Sequence, residues 1–444
     1  MSRRLPPGPK GLPFLGSLYD YFKDTLGFLT ETARGYGDIV FFKLGPRNVY
    51  LISDPELIKQ VLITDSKNFT KSRALNRARI VAGEGLLTNE GEQHLANRRV
   101  IQPLFHKKAI PNYVNAVISH TDTMCSQWED GNVIDINKEM MHLTQNIVID
   151  ALFDSAVDRN SALLVDSLTT IMNSFPRMLF PYSEYLDNLP LPHNIRFRKA
   201  LKNLDEIVYS IIDEKKSSRS ESYDLVSLLL EAKDEEGKSF FTDKQIRDEV
   251  ITFFIAGQET TANALSWTWY LIANNTKVEE RMKAELSEVL NDRRPDYEDI
   301  ERLVFLNNVV KESLRIYPPA WAVVRKSIDH YDIAGYKIPP GSDIYMSQFV
   351  VQRDERFFKD PMNFNPDRWS GLNSRNLPRF AYFPFGGGTR RCIGEPFALM
   401  EAVLILAVIC RLWRMSPFDS SEIRPKPLIT IRPEKGIKMR LKEL

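Results

Sequence analysis

The stretch FPFGGGTRRCIG, residues 383–394, sets one of only three cysteines among glycines, arginines and aromatic rings. A cysteine kept for packing wants an apolar helix or strand around it. Cys392 instead ends a loop with little side-chain volume, bare backbone amides and two cations, Arg390 and Arg391. Such surroundings lower a thiol pKa and favour the thiolate. An ordinary buried cysteine near a turn is the alternative that this stretch alone leaves open. Phe385 stands seven residues before Cys392, Gly388 four before, Arg390 two before and Gly394 two after.

The other two cysteines offer no partner chemistry. Cys410 lies in the apolar run VLILAVIC and Cys125 follows a helical stretch, so both read as core. Three cysteines cannot build a disulfide framework, which fits a reducing compartment and a cytoplasmic location. The formal net charge of +1 gives no reason to expect nucleic acid as a partner. The start, MSRRLPPGPKGLPFLG, is basic and proline-rich without a signal core. FALMEAVLILAVICRLW is interrupted by Glu401 and is shorter than the roughly 20 apolar residues of a spanning helix, so it reads as buried.

The pattern along the chain is mainly helical with a small β region. Residues 6–13 should be extended, because proline fixes φ and lacks an amide donor. DIVFFKLG and NVYLIS read as strands, and DPELIKQVLI starts a helix at Asp54 with Pro55 in its first position. From about residue 91 to 314 long amphipathic helical runs dominate, among them SHTDTMCSQWED, SALLVDSLTTIMNSF and IRDEVITFFIAGQETTANALSWTWYLIANN. After Tyr317 prolines become frequent, and DIAGYKIPPG, SDIYMSQ and LITIRP read as short strands. No repeat, linker or low-complexity break divides the 444 residues, so one domain with a proline-rich arm over residues 1–16 is expected.

Further groups of residues carry chemistry. A thiolate that holds iron needs a bare loop whose amides point at sulfur. A helix starting near Glu395-Pro396 would add its positive end there. AGQETT, residues 256–261, puts a glycine inside a long helix, a cost of about 1 kcal/mol against alanine. The Thr260 hydroxyl can bond the Ala256 carbonyl four residues back, opening a groove with Glu259 and Thr260 side by side. KESLR offers Glu312 and Arg315 at i and i+3, usually a minor surface pair. FNPDRW supplies Arg368 as a second cation for one buried carboxylate. In GEQHLANRRVIQPLFH, His94 and Arg98 share one helix face and could grip an anion, although a basic helix surface explains them equally well.

Taken in order, these pieces resemble the cytochrome P450 family of haem-thiolate monooxygenases, over essentially the whole chain. FPFGGGTRRCIG resembles its haem-binding loop, KESLR its Glu-x-x-Arg helix, FNPDRW its Pro-x-Arg segment and AGQET its oxygen-groove helix. The resemblance implies a single P450-like domain with haem b buried between long helices and Cys392 as the axial iron ligand. It implies that Phe385, Gly388, Gly394 and Ala256 also border the haem. Arg390, Arg98, His94 and Arg325 would contact the haem propionates, and Glu259 and Thr260 would manage proton delivery. Glu312, Arg315 and Arg368 would hold the core beneath the haem. Trp369 stands where phenylalanine is more usual, a change expected to alter packing and not chemistry.

The function implied is insertion of one oxygen atom from O2 into a small apolar substrate: a fatty acid, terpenoid or steroid. No reductase is fused, so an external ferredoxin, flavodoxin or reductase is expected to supply electrons to a monomer. Arg390, Arg391, Arg99, Lys107 and Lys108 could form its basic docking face, as could any solvated surface. Pocket walls are expected from the loop 74–87, from residues 253–256 and from residues 320–324, under an aromatic lid over 174–186. The alternatives are a relative that rearranges or reduces its substrate without O2 activation, and a non-enzymatic haem sensor. The Glu259-Thr260 pair argues against the first.

Overall fold

The longest helix, the 31-residue Asp243–Ala273, organises the structure, a computed structural model that describes residues 5–153, 161–178, 187, 189–217, 224–371 and 376–444. A capping box starts it: the Thr242 hydroxyl accepts from Gln245 N, and Gln245 Oε1 accepts from Thr242 N. Its second half carries Trp267 and Trp269, both buried in the main hydrophobic core. Gly257 has a packing reason. A Cβ there would come within 3.0 Å of Val148 Cγ2 on the helix Ile136–Phe153, so the missing side chain lets the two helices approach.

The apolar run near the C-terminus forms the helix Glu395–Leu412, whose residues from Val403 to Ile409 are all fully buried. With Val304–Ile316 and the central helix it encloses the core on one side of the Cys392 loop. A second apolar cluster joins Phe253 and Phe254 of the central helix to the helices Ser161–Met178 and Pro192–Ser217.

The main sheet has five strands in the order Ile39–Leu44, Arg47–Ile52, Asp343–Met346, Val323–Ser327 and Phe69–Lys71. Only the second and third pair in parallel. Both edge strands come from the N-terminal part of the chain and the two strands between Arg47–Ile52 and Phe69–Lys71 from its C-terminal part, so both parts of the chain contribute to the sheet, as expected. The proline-rich arm lies along it, with Phe41 N donating to Pro7 O at 2.9 Å. The Asp54 carboxylate caps the next helix, Pro55–Lys59, through Glu56 N and Leu57 N.

Several expectations need correction. Residues 74–87 are not a loop throughout: Ser72 caps a helix, Arg73–Ala82, made largely of good helix formers, and only the turn after it is irregular. The segment SHTDTMCSQWED is helical only to Cys125. Three strands beyond those expected, Val133–Asp135, Trp413–Pro417 and Lys438–Glu443, form a second sheet. Of the expected lid, residues 179–186 lie outside the described residues, and the helix Ser161–Met178 runs into its start.

Candidate active site

The Cys392 loop is shaped by glycines that no other residue could replace. Gly388 has φ +70°, and a Cβ there would strike Leu62 O at 2.0 Å. Gly386 N donates to Phe383 O and Cys392 N donates to Phe385 O, each at 2.9 Å, folding the loop into stacked turns. Gly394 precedes the helix Glu395–Leu412, so the helix N-terminus begins beside the sulfur. Cys392 is exposed on its open side, whereas Cys125 and Cys410 are buried.

The thiol itself corrects the simplest reading of the loop. Burial against the protein behind it pushes the Cys392 thiol up to about 11, although the Gly394 amide, Arg98 and Arg391 pull the other way. The cations are too few and too well paired to win: Arg391 gives both its bonds to Glu395, at 2.6 Å each. Metal coordination, which deprotonates a ligating thiol outright, would supply what the loop does not.

Around this loop the fold gathers a cluster of basic side chains. The helix Gly91–Ile101 brings His94 and Arg98, Val323–Ser327 brings Arg325, and the loop brings Arg390. Arg98 Nη1 donates to Arg391 O at 2.7 Å, next to the cysteine. Lys71, which the sequence reading missed, lies directly opposite Arg325 in the sheet. Burial, then Lys71, Arg390, Arg98 and Arg325, lowers His94 to about 3. Burial and the neighbouring arginines likewise take Lys71 down to about 7 and Arg325 to about 10. Glu90, paired with Arg390 and bonded to Lys71 N, is the carboxylate that offsets them. One acid against three buried or half-buried arginines, with Lys71 and His94 beside them to take up a proton when an anion arrives, fits a site that receives a group with two further carboxylates, as haem has.

Behind the loop, Glu312 anchors the expected charge network. Arg315 Nε and Nη2 donate to its two oxygens at 2.9 Å, and Arg368 Nε donates at 3.0 Å. Glu312 and Arg315 are both fully buried, so this is not the surface pair that KESLR alone suggests. Gln352, also missed, carries the network onward. Arg315 Nη1 donates to Gln352 O, while Gln352 Oε1 accepts from Phe383 N at the start of the cysteine loop. Trp369 enters the network as a hydrogen-bond donor, which corrects the expectation that it would change packing alone.

On the central helix, Ala256 is exposed and Thr260 half-buried, although Phe253, Phe254, Gln258 and Glu259 around them are buried. The helix middle therefore presents an open face at Ala256 and Thr260. Thr260 Oγ1 donates to Ala256 O at 2.5 Å, as expected. Glu259 is not side by side with that hydroxyl. Its Oε1 accepts from Thr430 and, at 2.7 Å, from Arg432 Nε, and its buried Oε2 has no hydrogen-bond partner. Adjacent helical residues point about 100° apart, which sends the two side chains to different neighbours.

Of the expected docking cations, Arg390 turns inward to Glu90 and Phe69 O and leaves the surface group. Arg391 pairs with Glu395, and Lys107 lies 3.6 Å from Glu301. Among the described residues no helix is long and apolar enough to cross a membrane.

The comparisons with known proteins agree with this geometry. The family described as Cytochrome P450 matches residues 6–441. Cyclooctatin synthase of Streptomyces melanosporofaciens is 36% identical, over 95% of this chain and 92% of its own length. Pentalenene oxygenase of Streptomyces avermitilis is 33% identical over 98% and 96%. The crystal structure of the cytochrome P450DA heme domain superposes with a TM-score of 0.89 at 26% identity, covering 99% and 98% of the two chains. The chain belongs to the cytochrome P450 family and is an oxygen-incorporating oxidoreductase.

Proposed function

We propose that the protein binds haem through Cys392 and hydroxylates an apolar, terpenoid-type substrate with electrons from a separate redox protein. The observation that carries this reading is the group of buried Lys71, His94 and Arg325 with half-buried Arg98 and Arg390 beside the cysteine loop, offset by Glu90. These residues would hold the two propionates, and Phe385, Gly388, Gly394 and Ala256 would border the ring. Haem would supply redox-active iron at which dioxygen takes up two electrons and two protons, leaving one oxygen atom for substrate and one for water.

The chain's own residues have three tasks. Phe253, Leu86 and the segment 320–324 form an apolar wall that excludes water and orients the substrate. Thr260 Oγ1, anchored on Ala256 O, offers a hydroxyl that can pass a proton at the helix opening. Glu259, held at one oxygen by Thr430 and Arg432, keeps Oε2 without a partner as a proton-carrying atom. Among fatty acids, terpenoids and steroids, the relative named pentalenene oxygenase favours the terpenoid class. An external ferredoxin, flavodoxin or reductase would dock near Lys311, Arg379 and Arg391, which line a surface depression behind the loop.

The test is the absorbance of the reduced carbon monoxide adduct. Wild type should show the band of thiolate ligation, Cys392→Ala should lose it, and Cys125→Ala and Cys410→Ala should keep it. Loss of the band in either of the last two would overturn the ligand assignment.

A further inference from the structure

We infer that Glu249 is a positioning residue for substrate: with Lys71 it clamps the Leu86 peptide from both sides and fixes the pocket wall there. Leu86 N donates to Glu249 Oε2 at 2.8 Å, and Lys71 Nζ donates to Leu86 O at 3.0 Å. Glu249 is fully buried and Lys71 is 4% exposed. Both backbone groups of one residue are thus held by buried ionisable side chains from different elements, the central helix and the sheet edge. The clamp rests on the reading above that Leu86 faces the substrate.

The surroundings show what the clamp connects. Asn97 Nδ2 donates to Glu249 Oε1 at 2.8 Å, and Asn97 stands on the helix that carries His94 and Arg98. Lys71 also donates to Asn89 O at 2.5 Å and lies opposite Arg325 in the sheet. Along the central helix Glu249, Phe253, Ala256 and Thr260 recur at steps of four, three and four, so they share one face. Eleven residues at about 1.5 Å each put Glu249 about 16 Å from Thr260 along that face. Glu249 therefore sits about three helical turns from the residues assigned to the chemistry.

The turn it holds has no slack. Gly83 has φ +52°, and a Cβ there would meet the Asp248 carboxylate at 2.1 Å. A Cβ on Gly85 would meet Thr252 Oγ1 at 2.2 Å. Glu84 N donates to Asp248 Oδ2 at 2.9 Å, and Arg247 Nη1 donates to Val81 O at 2.7 Å. A turn pressed this closely on the helix moves only if these bonds break, so its shape, and with it the fit of Leu86 against substrate, depends on them.

The electrostatics single out the Leu86 clamp within this set. Burial raises Glu249 to about 7, with Asp248 adding and Leu86 N, Asn97 and Lys71 opposing. Lys71 is brought to about 7 by burial, with Arg390, Arg325 and Arg79 adding and Glu90 opposing. Two ionisable groups desolvated this far are a costly way to fill space, and apolar residues of like size would pack as well. What they supply that apolar residues do not is a directed bond to each side of one peptide.

The experiment uses the haem protein and two probes read by haem absorbance. Imidazole reports access to iron alone, and 4-phenylimidazole also presses on the apolar wall. Glu249→Ala should weaken 4-phenylimidazole binding about tenfold, the loss expected for one or two buried hydrogen bonds, and leave imidazole within about twofold. Glu249→Gln should stay close to wild type, because its amide oxygen can accept from Leu86 N and its amide nitrogen can donate to a flipped Asn97. Equal loss for both probes, no loss for either, or a Gln variant as weak as Ala overturns the clamp. Leu86→Ala separates the two readings. If it leaves 4-phenylimidazole binding unchanged, the wall assignment itself falls; if it weakens binding while Glu249→Ala does not, the wall stands and the clamp falls. Should Glu249→Ala hold no haem, Glu249→Asp, one methylene too short to reach Leu86 N, carries the same comparison. Failure of both to take up haem makes the role structural and overturns the proposal.

Discussion

Trp369 donates its indole Nε1–H to Glu312 Oε2 at 3.0 Å, giving the buried carboxylate a neutral partner beside its two arginines. Asn365 N donates to Oε1 at 3.1 Å, so Glu312 receives five hydrogen bonds, from Arg315 Nε and Nη2, Arg368 Nε, Trp369 Nε1 and Asn365 N. A carboxylate has about four lone-pair sites, so this one is saturated. Saturation is what makes a charge tolerable at zero exposure. The tryptophan ring also rests against Tyr382, with centroids 4.4 Å apart, and Tyr382 OH donates to Lys311 O.

Trp369→Phe should keep most of the ring packing and lose the indole bond. Hydrogen bonds to charged groups contribute about 1.5–3 kcal/mol, and the remaining four donors soften the loss toward the lower figure. Urea unfolding should show a lower midpoint with an unchanged slope. An unchanged midpoint would mean that the other four donors suffice.

Glu312→Ala is the severe counterpart. It leaves Arg315, with no exposure at all, and Arg368 facing each other without a carboxylate. Removing one partner of a buried pair costs roughly 3–5 kcal/mol. Because Arg315 also bonds Gln352, and Gln352 bonds Phe383 N, the disturbance reaches the cysteine loop. Purified protein should carry little haem per chain. Normal haem content at normal yield would refute the link between this network and the loop.

Much of this was legible in the sequence, for identifiable reasons. The cysteine loop depends on local chemistry, its glycines and arginines, and the central helix on an apolar pattern that runs along one stretch of chain, although its Thr242–Gln245 capping box was not read there. Lys71 and Gln352 were not legible, because each acts through partners that only the tertiary fold brings to it: Lys71 opposite Arg325, and Gln352 between Arg315 and Phe383. Trp369 showed its ring in the sequence but not its donor, whose target is set by how two segments cross. Glu259 was misjudged for the same reason. Adjacency to Thr260 in sequence says nothing of Thr430 and Arg432, which the C-terminal segment brings to it.

Glu401 carries the pH prediction. It lies fully buried on the helix Glu395–Leu412, neither oxygen has a well-formed hydrogen bond, and the Thr261 hydroxyl only tempers its environment. Burial raises it from 4.5 to about 8. Between those values the folded protein keeps a proton that the unfolded chain releases, so this residue lowers stability as pH rises through the window. Glu401→Gln removes that slope. The variant should match wild type near pH 5 and exceed it by on the order of 3 kcal/mol at pH 8, since each pH unit is about 1.4 kcal/mol. Thermal unfolding at both pH values measures it, and a difference that does not change with pH would show that Glu401 is charged throughout.

The last prediction concerns the proton route. Thr260→Ala removes a hydroxyl whose one bond is to Ala256 O, in the half-buried middle of a helix that the rest of the core holds in place. Haem content and 4-phenylimidazole binding should therefore change little. Without the hydroxyl, no positioned group remains at that point to pass a proton, and positioned proton transfer is worth about 10²–10⁴-fold. Electrons should still be consumed but end in hydrogen peroxide, with product per electron well below wild type. Glu259→Gln should act differently. It keeps the side chain's size and a bond to Arg432 or Thr430 but cannot carry a proton at Oε2, so the whole cycle should slow without the same loss to peroxide. Arg432→Ala, which frees Oε1 from its cation, should fall between the two if the carboxylate works as a held proton carrier. The measurement is product and hydrogen peroxide per NAD(P)H oxidised with a surrogate redox partner. Unchanged coupling in Thr260→Ala would remove Thr260 from the proton route, and a Glu259→Gln variant at wild-type rate would confine Glu259 to holding the C-terminal segment in place.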